Sequence, residues 1–178
     1  MPVNVVPTAI PGVVVVESPV FGDKRGYFTE IFLAHTFAEA GLPSVFVQDN
    51  LSKSSKGTLR GLHYQIEPHA QGKLVYALAG SVFDVAVDLR RGSPTFGKWV
   101  GQELRGGSGI ALWIPAGFAH GFIALEDDSL LYYKCTGPWA RSAERSLAYN
   151  DLVIGIEWPI GPPMIAPKPP PAPPHQKP

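Results

Sequence analysis

Cysteine is almost absent. Cys135 stands alone in 178 residues, so no disulfide can form within the chain, which suits a reducing compartment and a cytoplasmic location. Net charge is absent too. The 15 basic and 15 acidic residues balance to zero, leaving no global field to attract nucleic acid or an anionic membrane. Any anion site must therefore be local. No stretch approaches the roughly 18 apolar residues of a membrane span, and the N-terminal MPVNVVPTAIPG has neither the basic start nor the apolar core of a signal peptide. Long helical patterns are missing as well. HTFAEAGLP is the best helix candidate, one or two turns ending at Gly41 and Pro43.

What remains is a succession of short strand patterns. They include AIPGVVVVESPVF, GYFTEIFL, SVFVQDNLSKS, TLRGLHYQ, KLVYALAGSVFDVAVDL, KWVGQELRGG, IALWIPAG, AHGFIALE and SLLYYKCT. Gly and Pro punctuate them at close spacing, which predicts an all-β sandwich or barrel with few, short helices. Gly80-Ser81 within KLVYALAGSVFDVAVDL reads as the two-residue turn of a hairpin. The length suits one domain, expected over residues 1–160. Residues 161–178 are Pro-rich and are expected to form an extended or disordered tail.

Several ionisable residues interrupt these apolar strands. TLRGLHYQ carries Arg60 and His63, which strict alternation would place on opposite faces. Gly61 between them suggests a bulge that re-aims the residues beyond it, so both are expected to face one pocket. Lys73 opens KLVYALAG; Asp84 shares a strand face with Val82, Ala86 and Asp88; His120 follows a Pro-Gly turn; Tyr133 shares a face with Leu131 and Cys135. Taken singly, each has an ordinary reading: a surface lysine, a structural carboxylate, a satisfied histidine, a packed tyrosine. On the strands of one small barrel they would converge. A metal-binding cupin is a competing class. However, Gln65 rather than His stands two residues after His63, and His69 falls beside Pro68, outside the strand, so no tight ligand pair exists and no metal is expected.

The segments FGDKRGYFTEIF, QDNLSKSSKGTLRGLHYQ, GKLVYALAGSVFDVAVDLRRGSPTFGKW, WIPAGFAHGF, YKCT and IEWP, in that order from about Val13 to Pro159, resemble the dTDP-4-dehydrorhamnose 3,5-epimerase family. The resemblance implies a cupin-type jelly-roll barrel and a metal-free isomerase without cofactors. The implied reaction inverts C3 and C5 of dTDP-4-dehydro-6-deoxy-D-glucose, on the way to dTDP-L-rhamnose. It also implies a homodimer with exchanged strands. By position, His63 matches the family's base, Lys73 the group that stabilises the enolate oxygen, and Tyr133 the acid on the opposite ring face. The matched substrate-binding residues are Arg25 and Glu30, supplied across the dimer, with Gln48, Asp49, Asn50, Arg60 for the diphosphate, His120, Trp139, Glu144 and Lys168. A C3-only epimerase and a non-catalytic sugar-nucleotide-binding cupin are the alternatives.

Two positions depart from the family pattern. Trp139 stands where the family usually has a Tyr that stacks on thymine, which loosens the expectation about the nucleotide. In APKPP, Pro169 or Pro170 occupies the place of an Asp that pairs with the catalytic His. Such a carboxylate fixes the imidazole tautomer and stabilises its charged form. Asp84 is the candidate substitute. If the loss is uncompensated, a slower enzyme or one restricted to a single carbon is expected. Pro169→Asp should then raise turnover; an unchanged rate in a side-by-side kinetic comparison would contradict this.

Overall fold

The computed structural model describes residues 1–161 and 163–165, so Lys168, Pro169 and Pro170 lie outside the described residues. It consists of fourteen strands and a single helix among those residues. In chain order they are β1 (Asn4–Pro7), β2 (Val14–Glu17), β3 (Val20–Asp23), β4 (Gly26–Thr29), α1 (Ala34–Glu39), β5 (Gln48–Ser54), β6 (Thr58–Gln65) and β7 (Lys73–Ala79). There follow β8 (Ser81–Asp88), β9 (Trp99–Arg105), β10 (Ile110–Ile114), β11 (Phe118–Ala124), β12 (Ser129–Cys135), β13 (Glu144–Ser146) and β14 (Met164–Ile165). Two sheets face each other in a jelly-roll sandwich. The first has the order β1-β2-β10-β7-β12-β5, and the second β13-β6-β11-β8-β9 with β14 added to β6. Strands β3 and β4 form a separate hairpin.

The alternation of each strand decides the layers. Inward-facing Val75, Ala77, Val82, Ala86, Leu104, Leu112, Phe118, Phe122 and Leu131 meet between the sheets. The outer face of the first sheet is covered by Phe37 of α1 with Phe32 and Phe46 beside it. The outer face of the second sheet, with Leu62, Val85, Val87 and Ala119, is covered by Leu147, Ile154, Ile156 and Trp158. Both sheets are therefore buried on two sides over much of their area, which explains why β8 and β11 read as near-continuous apolar runs.

The hairpin expected at Gly80-Ser81 does not form. Strand β7 pairs with β10 and β12, whereas β8 pairs with β11 and β9, so the chain turns a corner from one sheet to the other at Gly80. The reason lies in the core. Val75 and Ala77 must face Val82 and Ala86 across the interior, and a hairpin would have placed all four on the same sheet. Gly80 suits the corner because its φ is +65° and a Cβ there would lie 2.6 Å from Ser129 Oγ.

The bulge anticipated in β6 is present. His63 pairs with His120 and Arg60 with Phe122, so three residues of β6 span two of β11. Gly61 has a φ of +114°, and a Cβ there would lie 2.5 Å from Gly121 Cα and 2.7 Å from the His120 carbonyl oxygen. Gly61→Ala should therefore cost about 2–5 kcal/mol of folding stability through strain and overpacking, read as a lowered urea midpoint. A midpoint like that of the natural chain would contradict this account of the bulge.

Candidate active site

The register shift in β6 decides which side chains reach the interior. Phe122 and His120 both point inward from β11, and their partners Arg60 and His63 do the same. The facing sheet contributes a matching row. On β12, Tyr133 and Cys135 share the inner face with Leu131, opposite Val75 and Lys73 of β7. On β5, Gln48, Asn50 and Ser52 lie opposite Cys135, Tyr133 and Leu131. One end of the sandwich interior is thus polar, and it opens as a cleft with two lobes of about 400 and 760 Å³. His63, Lys73 and Tyr133 line both lobes. The smaller lobe adds Gln48, Asn50, Trp139 and Glu144, and the larger adds Arg60, His120 and Ser52.

His63 stands on one sheet; Lys73 and Tyr133 stand on the other, facing it across the cleft. His63 is open to solvent at the mouth, yet the surrounding walls exclude much water. Desolvation therefore pulls its pKa below the ordinary imidazole value; the charge of Glu144 opposes this, while Lys73 and His120 add to it. Burial likewise lowers the pKa of Lys73, against the opposing effects of Cys135, Asp84 and Glu144. Among the described residues Lys73 makes no ion pair, and its Nζ stands 5.8 Å from the centroid of the Tyr133 ring. Burial raises the Tyr133 pKa, with Cys135, Glu144 and Asp84 adding to the shift and Arg60 opposing it, so the phenol keeps its proton at neutral pH. Arg60 is held from behind, donating from Nε to Ser54 Oγ at 3.0 Å and from an Nη to the Lys53 carbonyl at 3.1 Å.

Three expected residues lie elsewhere. Asp49 sits between Gln48 and Asn50 on β5, so alternation turns it outward, where it bonds Lys134 Nζ at 2.8 Å. It does not line the cleft. Arg25 lies on the exposed β3–β4 hairpin, tied to Asp23, and Glu30 accepts a bond from the Met1 amino group; neither reaches the cleft of its own chain. Asp84 is not the partner of His63. It pairs with His120, Nε2 to Oδ1 at 2.7 Å, because residues 84 and 120 sit one inward step apart on the adjacent strands β8 and β11.

Other lining residues escaped the sequence reading. Gln65 donates to the carbonyls of His69 and Pro138 and accepts from the Ala140 amide, which anchors the loop that carries Trp139. Gln48, already named from the sequence, holds the same loop by accepting from the Trp139 amide at 2.8 Å. Tyr149 and Met164 reach the larger lobe from segments that carry no strand periodicity. Only the alternation of Gln65 with His63 in TLRGLHYQ hinted at any of these. Among the described residues, no cluster of three or more His, Cys, Asp or Glu side chains could hold a metal ion, and no helix is long and apolar enough to cross a membrane.

The family model for dTDP-4-dehydrorhamnose 3,5-epimerase matches residues 7–174. The chain belongs to the dTDP-4-dehydrorhamnose 3,5-epimerase family. A Shigella flexneri dTDP-4-dehydrorhamnose 3,5-epimerase is 53% identical over 166 residues, 93% of this chain and 92% of that protein. The crystal structure of a Legionella pneumophila dTDP-6-deoxy-D-glucose-3,5-epimerase, in complex with dTDP-4-keto-L-rhamnose, superposes with a TM-score of 0.88. It is 48% identical, and the match covers 93% of this chain and 89% of that one. A dTDP-4-dehydrorhamnose 3-epimerase from Streptomyces niveus is 39% identical over 163 residues, 91% of this chain and 79% of that protein.

The electrostatics of this epimerase-family cleft predict a titration. His63 should have its midpoint below the value of about 6.5 for a free imidazole. Glu144→Gln removes a charge that favours the imidazolium and should lower the midpoint further. Proton NMR of the histidine ring against pH measures both, and an upward shift in the variant would contradict the assignment.

Proposed function

We propose that this chain inverts C3 and C5 of dTDP-4-dehydro-6-deoxy-D-glucose to give dTDP-4-dehydro-L-rhamnose, a step in dTDP-L-rhamnose biosynthesis. The observation that carries this reading is the placement of His63 on one sheet and of Lys73 and Tyr133 on the sheet facing it, around one cleft. Family membership and the named activities of the similar proteins support it.

The chemistry follows from the ketone. Carbonyl C4 acidifies the C–H bonds at C3 and C5, and loss of either proton gives an enolate. His63, kept neutral by its surroundings, takes the proton onto its imidazole. The Lys73 ammonium, which makes no ion pair among the described residues, is available to the developing oxyanion. Tyr133, held as the phenol, returns a proton to carbon from the other side of the ring, and the resulting phenolate and imidazolium re-equilibrate with solvent. Base and acid on opposite sheets supply the two ring faces that inversion requires. Arg60 binds the diphosphate through paired donors, His120, Gln48, Asn50 and Glu144 contact the sugar nucleotide, and Trp139 stacks on the base.

The working unit is a homodimer that shares strands. Phe21, Tyr27 and Phe28 of the β3–β4 hairpin and Val45, Val47 and Leu51 around the edge strand β5 are exposed apolar surface that a second copy would cover. In that arrangement Arg25 and Glu30 serve the neighbouring cleft. The lone Cys135 suits the reducing environment of a cytoplasmic location.

In deuterated water, NMR of the product should show solvent deuterium at both C3 and C5. Label at C3 alone would make the chain a C3 epimerase, and binding without label would make it a sugar-nucleotide-binding cupin. His63→Asn should slow turnover by about 10²–10⁴-fold; a variant as fast as the natural chain would remove His63 from its role.

A further inference from the structure

Asp84 and Asp88 are both fully buried on β8, but among the described residues only Asp84 has a carboxylate oxygen left without a partner. Asp84 lies on the inner face of β8, between Val82 and Ala86 and opposite Phe122. Its Oδ1 meets His120 Nε2 at 2.7 Å, while Oδ2 is buried with no hydrogen-bond partner among the described residues. A carboxylate with an orphaned oxygen in apolar surroundings is costly, and as a purely structural device an apolar pair of similar volume would serve at least as well. What the pair does achieve is chemical. When ionised, the carboxylate can only accept, and Nε2 then carries the proton. In the neutral ring, Nδ1 is then an acceptor, and the Asp84 contact is the only hydrogen bond of the His120 ring among the described residues.

The neighbours give that acceptor a purpose. Arg60 and Lys73, which line the same lobe, can only donate, and Tyr133 keeps its O–H; its ring centroid lies 6.0 Å from that of His120. A hexulose brings hydroxyl groups as well as a carbonyl and a diphosphate, and its hydroxyls need acceptors. We propose that Asp84 is a positioning residue that locks His120 in the Nε2–H tautomer, so that Nδ1 accepts a hydrogen bond from a hydroxyl of the bound sugar. The role for the sugar hydroxyl rests on the epimerase reading; the tautomer does not.

Two measurements on the full chain separate these claims. Long-range nitrogen–proton NMR of the labelled protein at neutral pH should show His120 Nε2 protonated and Nδ1 bare. A ring protonated at Nδ1, or at both nitrogens, would overturn the proposal whatever the activity, and needs no variant. Asp84→Asn, whose amide can donate as well as accept, should erase the tautomer preference. It should also lower kcat/KM by about 10–100-fold and leave the affinity for dTDP, which carries no hexulose, unchanged. Unchanged kcat/KM in Asp84→Asn would overturn it, and equal loss of dTDP affinity would show that Asp84 serves only the integrity of the sandwich. In the His120→Ala background, Asp84→Asn should cost little more, because its effect passes through the ring; an additive loss would contradict that route.

Discussion

Strand β6 passes β11 so closely at Gly61 that no side chain fits between their backbones. The geometry of the cleft depends on that contact. An unbroken ladder would turn either Arg60 or His63 onto the outer face, among Leu62, Val85 and Val87. By spending three residues of β6 against two of β11, the bulge brings a guanidinium and an imidazole inward together. The position must be glycine on two counts, its positive φ and the absent space for a Cβ. A local backbone device thus decides which functional groups meet.

The second organising constraint is the facing of two sheets. Their inner faces are apolar through most of the sandwich and polar at one end, where Lys73, Tyr133, His63 and His120 meet. Partial burial there acts on each group in the direction the proposed chemistry needs. It disfavours the charged form of the base His63, so that the ring can accept a proton, and it keeps Tyr133 protonated, so that it can give one. Glu144 on the flanking strand β13 opposes the shift of His63 but adds to that of Tyr133, and Asp84 on β8 adds to the latter. The same walls that pack the core therefore tune the site.

Much of this was legible in the residues. The β6 pattern, the glycine within it and the inward group of Tyr133 with Leu131 and Cys135 were readable because alternation and the meaning of a strand glycine are local properties. The partnership of β7 with β8 was not. Two buried strands joined by Gly-Ser read alike whether they pair within a sheet or face each other across a core. Asp84 was recognised as a buried carboxylate needing a partner, but which histidine it meets depends on the register of β8 against β11, which no spacing encodes. Asp49 stands in the QDN stretch, yet alternation alone turns it outward. The short strands β1, β13 and β14 exist through pairing with longer neighbours rather than through their own periodicity. Arg25 and Glu30 stand in segments that do not reach the cleft of their own chain, which no spacing in the sequence reveals.

The central claim is that His63 and Tyr133 attack opposite faces of one sugar ring. Tyr133→Phe in deuterated water, with dTDP-4-dehydro-6-deoxy-D-glucose as substrate, tests it directly. His63 would still remove a proton and return a deuteron from its own side, so NMR should find deuterium washed into the sugar with its configuration retained and little inverted product. Inverted product at the rate of the natural chain would show that the second proton comes from elsewhere and would contradict the two-sheet account of the site.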